Sequence, residues 1–191
     1  MRRIVVLVLI VIAVAFLADR LFLRQRGAVY NPPITRGIKS ATTTTMILTS
    51  SAFEDNTSIP AKFTCDGWDV NPELHIQYVP DGTKSLALLV EDPDSPQPNF
   101  LHWLVWNINP KTEFIKEESK PPFSGEAING FGNPGYGGPC PHQGEHHYVF
   151  RLFALDTMLP QGQSFTREEF LKAISSHVLE ESRIVGLYKR K

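Results

Sequence analysis

Cysteine is scarce in this chain: 191 residues contain two, Cys65 and Cys140. Neither lies just after the apolar N-terminal run, which excludes a lipid-modified N-terminal cysteine. Long apolar runs are equally scarce. The one extended run, Ile4 to Ala18, spans only about 22 Å as a helix, short of the roughly 30 Å hydrocarbon core of a bilayer. Basic charge is missing from most of the chain. Up to Lys39 there are seven basic residues and one acid, Asp19, so the other 152 residues hold 12 basic and 19 acidic side chains, a net charge of −7. A body this acidic has no basic stripe with which to displace counterions from a phosphate backbone, so it does not read as a nucleic-acid binder. The length suits one domain and argues against a two-domain enzyme.

The N-terminal run, preceded by Arg2 and Arg3, has the pattern of an export signal or an anchor. Extended through Leu21-Phe22-Leu23 it reaches about 30 Å, with Asp19 and Arg20 near the far interface, where arginine snorkels. The apolar residues after Ala13-Val14-Ala15 favour an uncleaved anchor over a cleaved signal peptide. Residues 1–26 are therefore expected to form a transmembrane helix and residues 27–45 a linker, since Asn31-Pro32-Pro33, Gly37 and Thr42 to Thr45 show no apolar period. The domain is then 46–191, placed outside the cytoplasm on a single-pass anchor, or secreted or periplasmic if the leader is cleaved. Arg20, Arg24 and Arg26 match the charge ahead of the run, so the positive-inside rule does not choose an orientation.

Within the domain, short aromatic and β-branched runs alternate with turns rich in proline and glycine. Leu74 to Tyr78, Ser85 to Val90, His102 to Ile108, Tyr148 to Leu155 and Ile184 to Tyr188 read as strands. One helix is signalled by a capping box, Thr166 with Glu169, followed by Phe170, Leu171 and Ile174 at helical spacing. The expected class is mainly β, a two-sheet antiparallel sandwich with one or two short helices.

Two segments are chemically dense: Asp92-Pro93-Asp94-Ser95-Pro96 with Asn99 to Trp103, and Gly132 to Tyr148. The second contains His142-x-x-Glu145-His146, formally an inverted zinc-protease motif, but Pro139, Pro141 and Gly144 deny it the helix that would bring both histidines to one metal. No metal or cofactor is expected. Neither segment pairs a serine or cysteine nucleophile with a base in a recognised arrangement, so turnover is not expected, although Asp92, His102 and His146 would serve as acid and base in a hydrolase.

Together these segments resemble the phosphatidylethanolamine-binding protein family, in its bacterial Raf-kinase-inhibitor-like branch. The matching residues are Asp92-Pro93-Asp94-Ser95-Pro96, His102-Trp103, Gly135-Tyr136-x-Gly138-Pro139-x-Pro141 and His146-x-Tyr148, with Thr64-Cys65-Asp66-Gly67 and Gly186-x-Tyr188 further out. The resemblance implies a β-sandwich with a small pocket for an anion such as phosphate or a phospholipid headgroup. It implies a ligand set of Asp92, Pro96, His102, Gly138, Pro139, His146 and Tyr148, and, as an alternative, inhibition of a protein partner such as a kinase or peptidase. A carboxylate beside two imidazoles is expected to raise their pKa values, the Gly137-Gly138 backbone to approach the ligand, and the Tyr148 hydroxyl to donate to it. Asp94 is read as tying its loop together, His142 as a rim residue, His147 as facing away, and His75 and His177 as unrelated to the site. Where the family commonly has a second proline and then an arginine, this chain has His142 and His147. Cys65 and Cys140 form a candidate disulfide if the domain is exported, and remain thiols in the cytosol.

Overall fold

The computed structural model describes residues 45–190, so the expected anchor and most of the linker lie outside the described residues. Among the described residues no helix is long and apolar enough to cross a membrane. Nine strands and one α-helix follow in chain order: β1 (Ile47–Ser50), β2 (Thr57–Ser58), β3 (Leu74–Gln77), β4 (Ser85–Asp92), β5 (Phe100–Ile108), β6 (Phe114–Ile115), β7 (Gly125–Glu126), β8 (Glu145–Leu155), α1 (Arg167–Ile174) and β9 (Val178–Lys189). They form a three-stranded sheet, β1-β3-β6, and a six-stranded sheet, β2-β9-β8-β4-β5-β7.

The expected class holds in outline, mainly β with two sheets and one helix, and one detail is corrected. The large sheet is mixed, because Thr57 and Ser58 pair in parallel with Gly186 and Leu187 of β9. That contact is a passing stretch of loop rather than a hairpin partner, so no turn geometry forces it antiparallel.

Alternation along the strands sorts side chains into two cores. Leu86, Leu88 and Val90 of β4, Trp103 and Val105 of β5, and Tyr148, Phe150 and Leu152 of β8 pack against Leu48, Leu74, Ile76 and Ile115 of the small sheet. The opposite face, with Ala87, Leu89, Leu104 and Phe153, packs against Leu159, Phe165, and Phe170 and Ile174 of α1. All eight residues of β4 are consequently buried. The capping box forms as expected: the Thr166 hydroxyl accepts from the Glu169 N–H, and the Glu169 carboxylate accepts from the Thr166 N–H at 2.9 Å. A buried carboxylate, Glu91, fastens this helix to the sheet by accepting from Arg167 Nε at 2.5 Å and Arg151 Nη1 at 3.2 Å.

Strand β1 is an edge of the small sheet, but two outward N–H groups at its start are not free. The Met46 N–H donates to Glu180 Oε1 at 2.8 Å and the Leu48 N–H to Ser182 Oγ at 3.0 Å, both acceptors coming from β9.

Two substitutions separate core from cap. Phe170→Ala, at a site with no solvent exposure, is expected to cost about 3–5 kcal/mol, and Thr166→Ala about 1 kcal/mol. Urea denaturation of the two variants checks the order; equal losses would show that α1 contributes no more through packing than through its first turn.

Candidate functional site

The site forms at one end of the large sheet because of strand order. Strand β4 lies between β5 and β8 and runs antiparallel to both, so its last residues meet the first residues of each neighbour: Glu91 pairs with Leu101 and Val149, and Asp92 with Phe100. Asp92 follows Val90 on the face turned toward the small sheet. Its Oδ1 accepts the Asp94 N–H at 2.9 Å, closing a turn, and Asn99 enters β5 with φ of 55°, a left-handed conformation that asparagine tolerates.

His102 reaches the same face through an irregularity. Val90 pairs with Trp103 and Glu91 with Leu101, which leaves His102 as an extra residue on β5. Regular alternation would put His102 on the Leu104 side, against the helix; the bulge turns it instead toward Tyr148, with ring centroids 5.1 Å apart at 84°. Its Nδ1–H donates to the Gly137 carbonyl at 2.6 Å, while the Gly137 N–H donates to the His102 carbonyl at 2.9 Å. This reciprocal pair clamps the Gly-rich loop to β5.

His146 comes from the start of β8, two residues before Tyr148 on the same face, and its Nδ1–H donates to Asp92 Oδ2 at 2.8 Å. His147 points the other way, as alternation requires, and both its main-chain N–H and its Nδ1 donate to Asp94 Oδ2, at 2.8 and 2.7 Å. Burial alone would raise the Asp94 carboxyl, but these bonds more than offset it and hold it below the ordinary carboxylate value.

A cavity of about 370 Å³ opens between these elements. Of the seven positions expected to hold ligand, Asp92, Pro96, His102 and His146 line it; Gly138, Pro139 and Tyr148 do not. The reason is local packing. The Gly138 N–H is consumed by Asp69 Oδ1 at 2.6 Å, and a Cβ there would meet the Phe63 carbonyl oxygen at 2.5 Å. The close approach for which glycine is required is thus to the protein's own 63–69 loop and not to a ligand. Pro139 is buried, and its carbonyl accepts the Cys65 N–H at 3.1 Å. Tyr148 is only 1% exposed and forms the layer beneath the histidines; its hydroxyl is, among the described residues, the one buried side-chain polar atom without a hydrogen-bond partner. Burial pushes that phenol well above its ordinary pKa.

The electrostatics also differ from expectation. Of the two imidazoles, Asp92 is hydrogen-bonded only to that of His146. His102 is 2% exposed, and burial lowers its pKa below the ordinary 6.5, against the opposing pull of the Gly137 carbonyl and the Asp92 charge. The histidine at the cavity floor is therefore neutral near pH 7, with Nδ1 carrying the proton and Nε2 an acceptor.

His142, Asp94 and Ser95 also line the cavity. So do Phe100 and Phe131, which the sequence reading did not single out. They stack edge-on at 4.8 Å, and both contact the His102 ring. The available signal was an aromatic inside a glycine-rich loop: a Cβ on Gly137 would meet Phe131 Cδ2 at 2.6 Å, so that glycine makes room for the ring. His142-x-x-Glu145-His146 runs from loop into β8 without a helical turn, and among the described residues no group of three or more potential ligands is arranged to hold a metal ion. His75 lies against Glu73 and His177 against Asp156, both away from the cavity. Cys65 and Cys140 are joined in a disulfide with Cα atoms 5.4 Å apart, and Cys140 lines the cavity.

Comparison with known proteins agrees with this architecture. Residues 49–189 match the family model of the phosphatidylethanolamine-binding protein. A UPF0098 protein of Archaeoglobus fulgidus is 46% identical over 145 residues, which are 73% of this chain and 50% of that one, so the chain spans about half that relative's length. A phosphatidylethanolamine-binding protein homologue of Chlamydia trachomatis superposes with a TM-score of 0.74 at 35% identity, covering 77% of this chain and 99% of the homologue. Escherichia coli YbcL, described as a new member of the mammalian family, superposes with a TM-score of 0.72 at 26% identity, covering 78% and 100%. A family-model match over most of the chain, on this fold, leads to one conclusion: the chain belongs to the phosphatidylethanolamine-binding protein family.

Proposed function

We propose that this domain is a binding module that holds a small oxyanion, a phosphate or a phospholipid headgroup, in the cavity of Asp92, His102 and His146, without turnover. The observation that carries the reading is the fixed orientation of two imidazoles. Each has its Nδ1 tied to a buried acceptor, Gly137 O or Asp92 Oδ2, which leaves each Nε2 to the cavity. Among the described residues no lysine or arginine lines the cavity, so the anion is held by imidazole, and affinity follows imidazole protonation.

The pH dependence has a definite sign. In the free domain His102 gains its proton only below its depressed pKa, whereas an anion stabilises the imidazolium and raises that pKa. Binding therefore takes up a proton and tightens as pH falls, by up to about tenfold per unit between the two pKa values. Sulfate titration followed by NMR at His102 and His146 between pH 8 and pH 5 measures this; sulfate does not titrate in that range, so the proton belongs to the protein. No saturable shift at either histidine at any pH would exclude the anion reading.

The same depressed pKa makes the unliganded fold sensitive to acid. The unfolded chain binds the His102 proton more readily than the folded one, so stability is fully present above pH 6.5 and declines as pH falls from there toward the folded-state pKa. Thermal unfolding of the free domain is expected to move to lower temperature from pH 7 to pH 5, and sulfate to reverse part of the loss. A His102→Gln variant is expected to flatten the slope.

The tether completes the proposal: residues 1–26 anchor the domain to a membrane and carry it outside the cytoplasm. Protease added to intact cells is expected to degrade the domain, and a fully protected domain would place it inside.

A further inference from the structure

We infer that Cys140 is a thiol–disulfide exchange site whose co-reactant, a small anionic thiol, enters through the anion cavity. Resting on the anion reading above, this gives the cavity a covalent chemistry of its own. Cys140 is part of the cavity wall, between Pro139 and Pro141, whereas Cys65 does not line the cavity. Both cysteines are half-buried, so the cavity is what distinguishes them: a thiolate held there meets Cys140 and not Cys65.

Exchange at this sulfur does not require unfolding. The loop that carries Cys140 is held by contacts that survive loss of the S–S bond. The Tyr136 hydroxyl donates to the Phe63 carbonyl at 3.0 Å, the Gly138 N–H to Asp69 Oδ1 at 2.6 Å and the Cys65 N–H to the Pro139 carbonyl at 3.1 Å. The Gly137–His102 pair holds the loop from the other side. The disulfide is thus one tie among several, and the bridge that contributes most in the unfolded chain, by closing a 75-residue separation, is locally dispensable in the folded one.

The step balances without an external oxidant. The thiolate sulfur attacks Cys140 Sγ, a new S–S bond forms between them, the Cys65–Cys140 bond breaks, and Cys65 leaves as a thiolate that takes a proton from solvent. Below neutral pH, where a bound anion draws a proton onto His102, the cavity selects the charge of the thiol. His102, His142 and His146 face it, and its two carboxylates are already engaged, Asp92 by His146 and Asp94 by His147. A thiol bearing a carboxylate or phosphate is accommodated beside the imidazoles, and once joined to Cys140 it occupies the space an anion would take. Anion binding and exchange therefore oppose one another, by the same factor in each direction at equilibrium.

The test uses the oxidised full-length chain at about pH 6, where anion binding is favoured by proton uptake, with glutathione, 2-mercaptoethanol and cysteamine, which are anionic, neutral and cationic, at equal thiolate concentration, with and without sulfate. Intact mass and peptide mapping locate the adduct. The expected result is a mixed disulfide on Cys140, formed about tenfold or more faster with glutathione than with cysteamine, and slowed by sulfate. An adduct on Cys65, equal rates for the three thiols, or indifference to sulfate would overturn the inference. A saturable sulfate shift at His102 accompanied by no adduct on Cys140 overturns the exchange site and leaves the anion reading intact; absence of that shift overturns the anion reading itself.

Discussion

Strand β4 is covered on both faces, by the small sheet on one side and by α1 and its flanking loops on the other, and this double burial decides where polar chemistry can sit. A strand with two apolar faces admits no polar side chain along its length without an unpaired group in a low-dielectric interior. Its polar residues are displaced to its ends: Ser85 at the first position, whose hydroxyl donates to the Thr157 carbonyl at 2.6 Å, and Glu91 and Asp92 at the last, each satisfied by a different structure. Glu91, facing the helix, is answered by two guanidinium groups and secures α1. Asp92, facing the small sheet, is answered by an imidazole and opens onto the cavity. One burial constraint thus yields a structural ion pair and a polar cavity wall on consecutive residues.

The bulge at His102 is the second device. Without the extra residue on β5, the imidazole would join Leu104 on the helical side, and the cavity would lose its floor. The reciprocal hydrogen bonds with Gly137 then convert a flexible glycine segment into a fixed wall, and the edge-on contacts with Phe100 and Phe131 close the ring from the other direction. Because this enclosure removes water, it also sets the proton count: the buried imidazole is neutral where a solvated one beside a carboxylate would be charged.

Much of this was legible in the residues. Alternation located β3, short apolar, aromatic and β-branched runs located β4, β5, β8 and the second half of β9, and the Thr166–Glu169 pair marked the start of α1. Asp92, His102 and His146 were identifiable as one cluster because their motifs resemble a family pattern; spacing alone would not have brought positions 54 residues apart together. What escaped was whatever depends on packing between distant loops. Gly138 reads as a ligand cradle until the 63–69 loop is found against it, and Tyr148 reads as a donor until its hydroxyl is found beneath the histidines. The direction of the His102 shift escaped for the same reason, since it is set by enclosure and not by the neighbouring charge.

The side-chain caps on the β1 edge have a consequence for crowding. An uncovered edge strand is a template onto which a second chain adds by main-chain pairing, and the risk grows with concentration. Here the donors a neighbouring strand would seek, the N–H groups of Met46 and Leu48, are already spent on Glu180 and Ser182 of the same chain. A carboxylate and a hydroxyl on β9 thereby act as blockers of polymerisation at this edge, protecting the small sheet at high concentration without a covering helix or an edge proline.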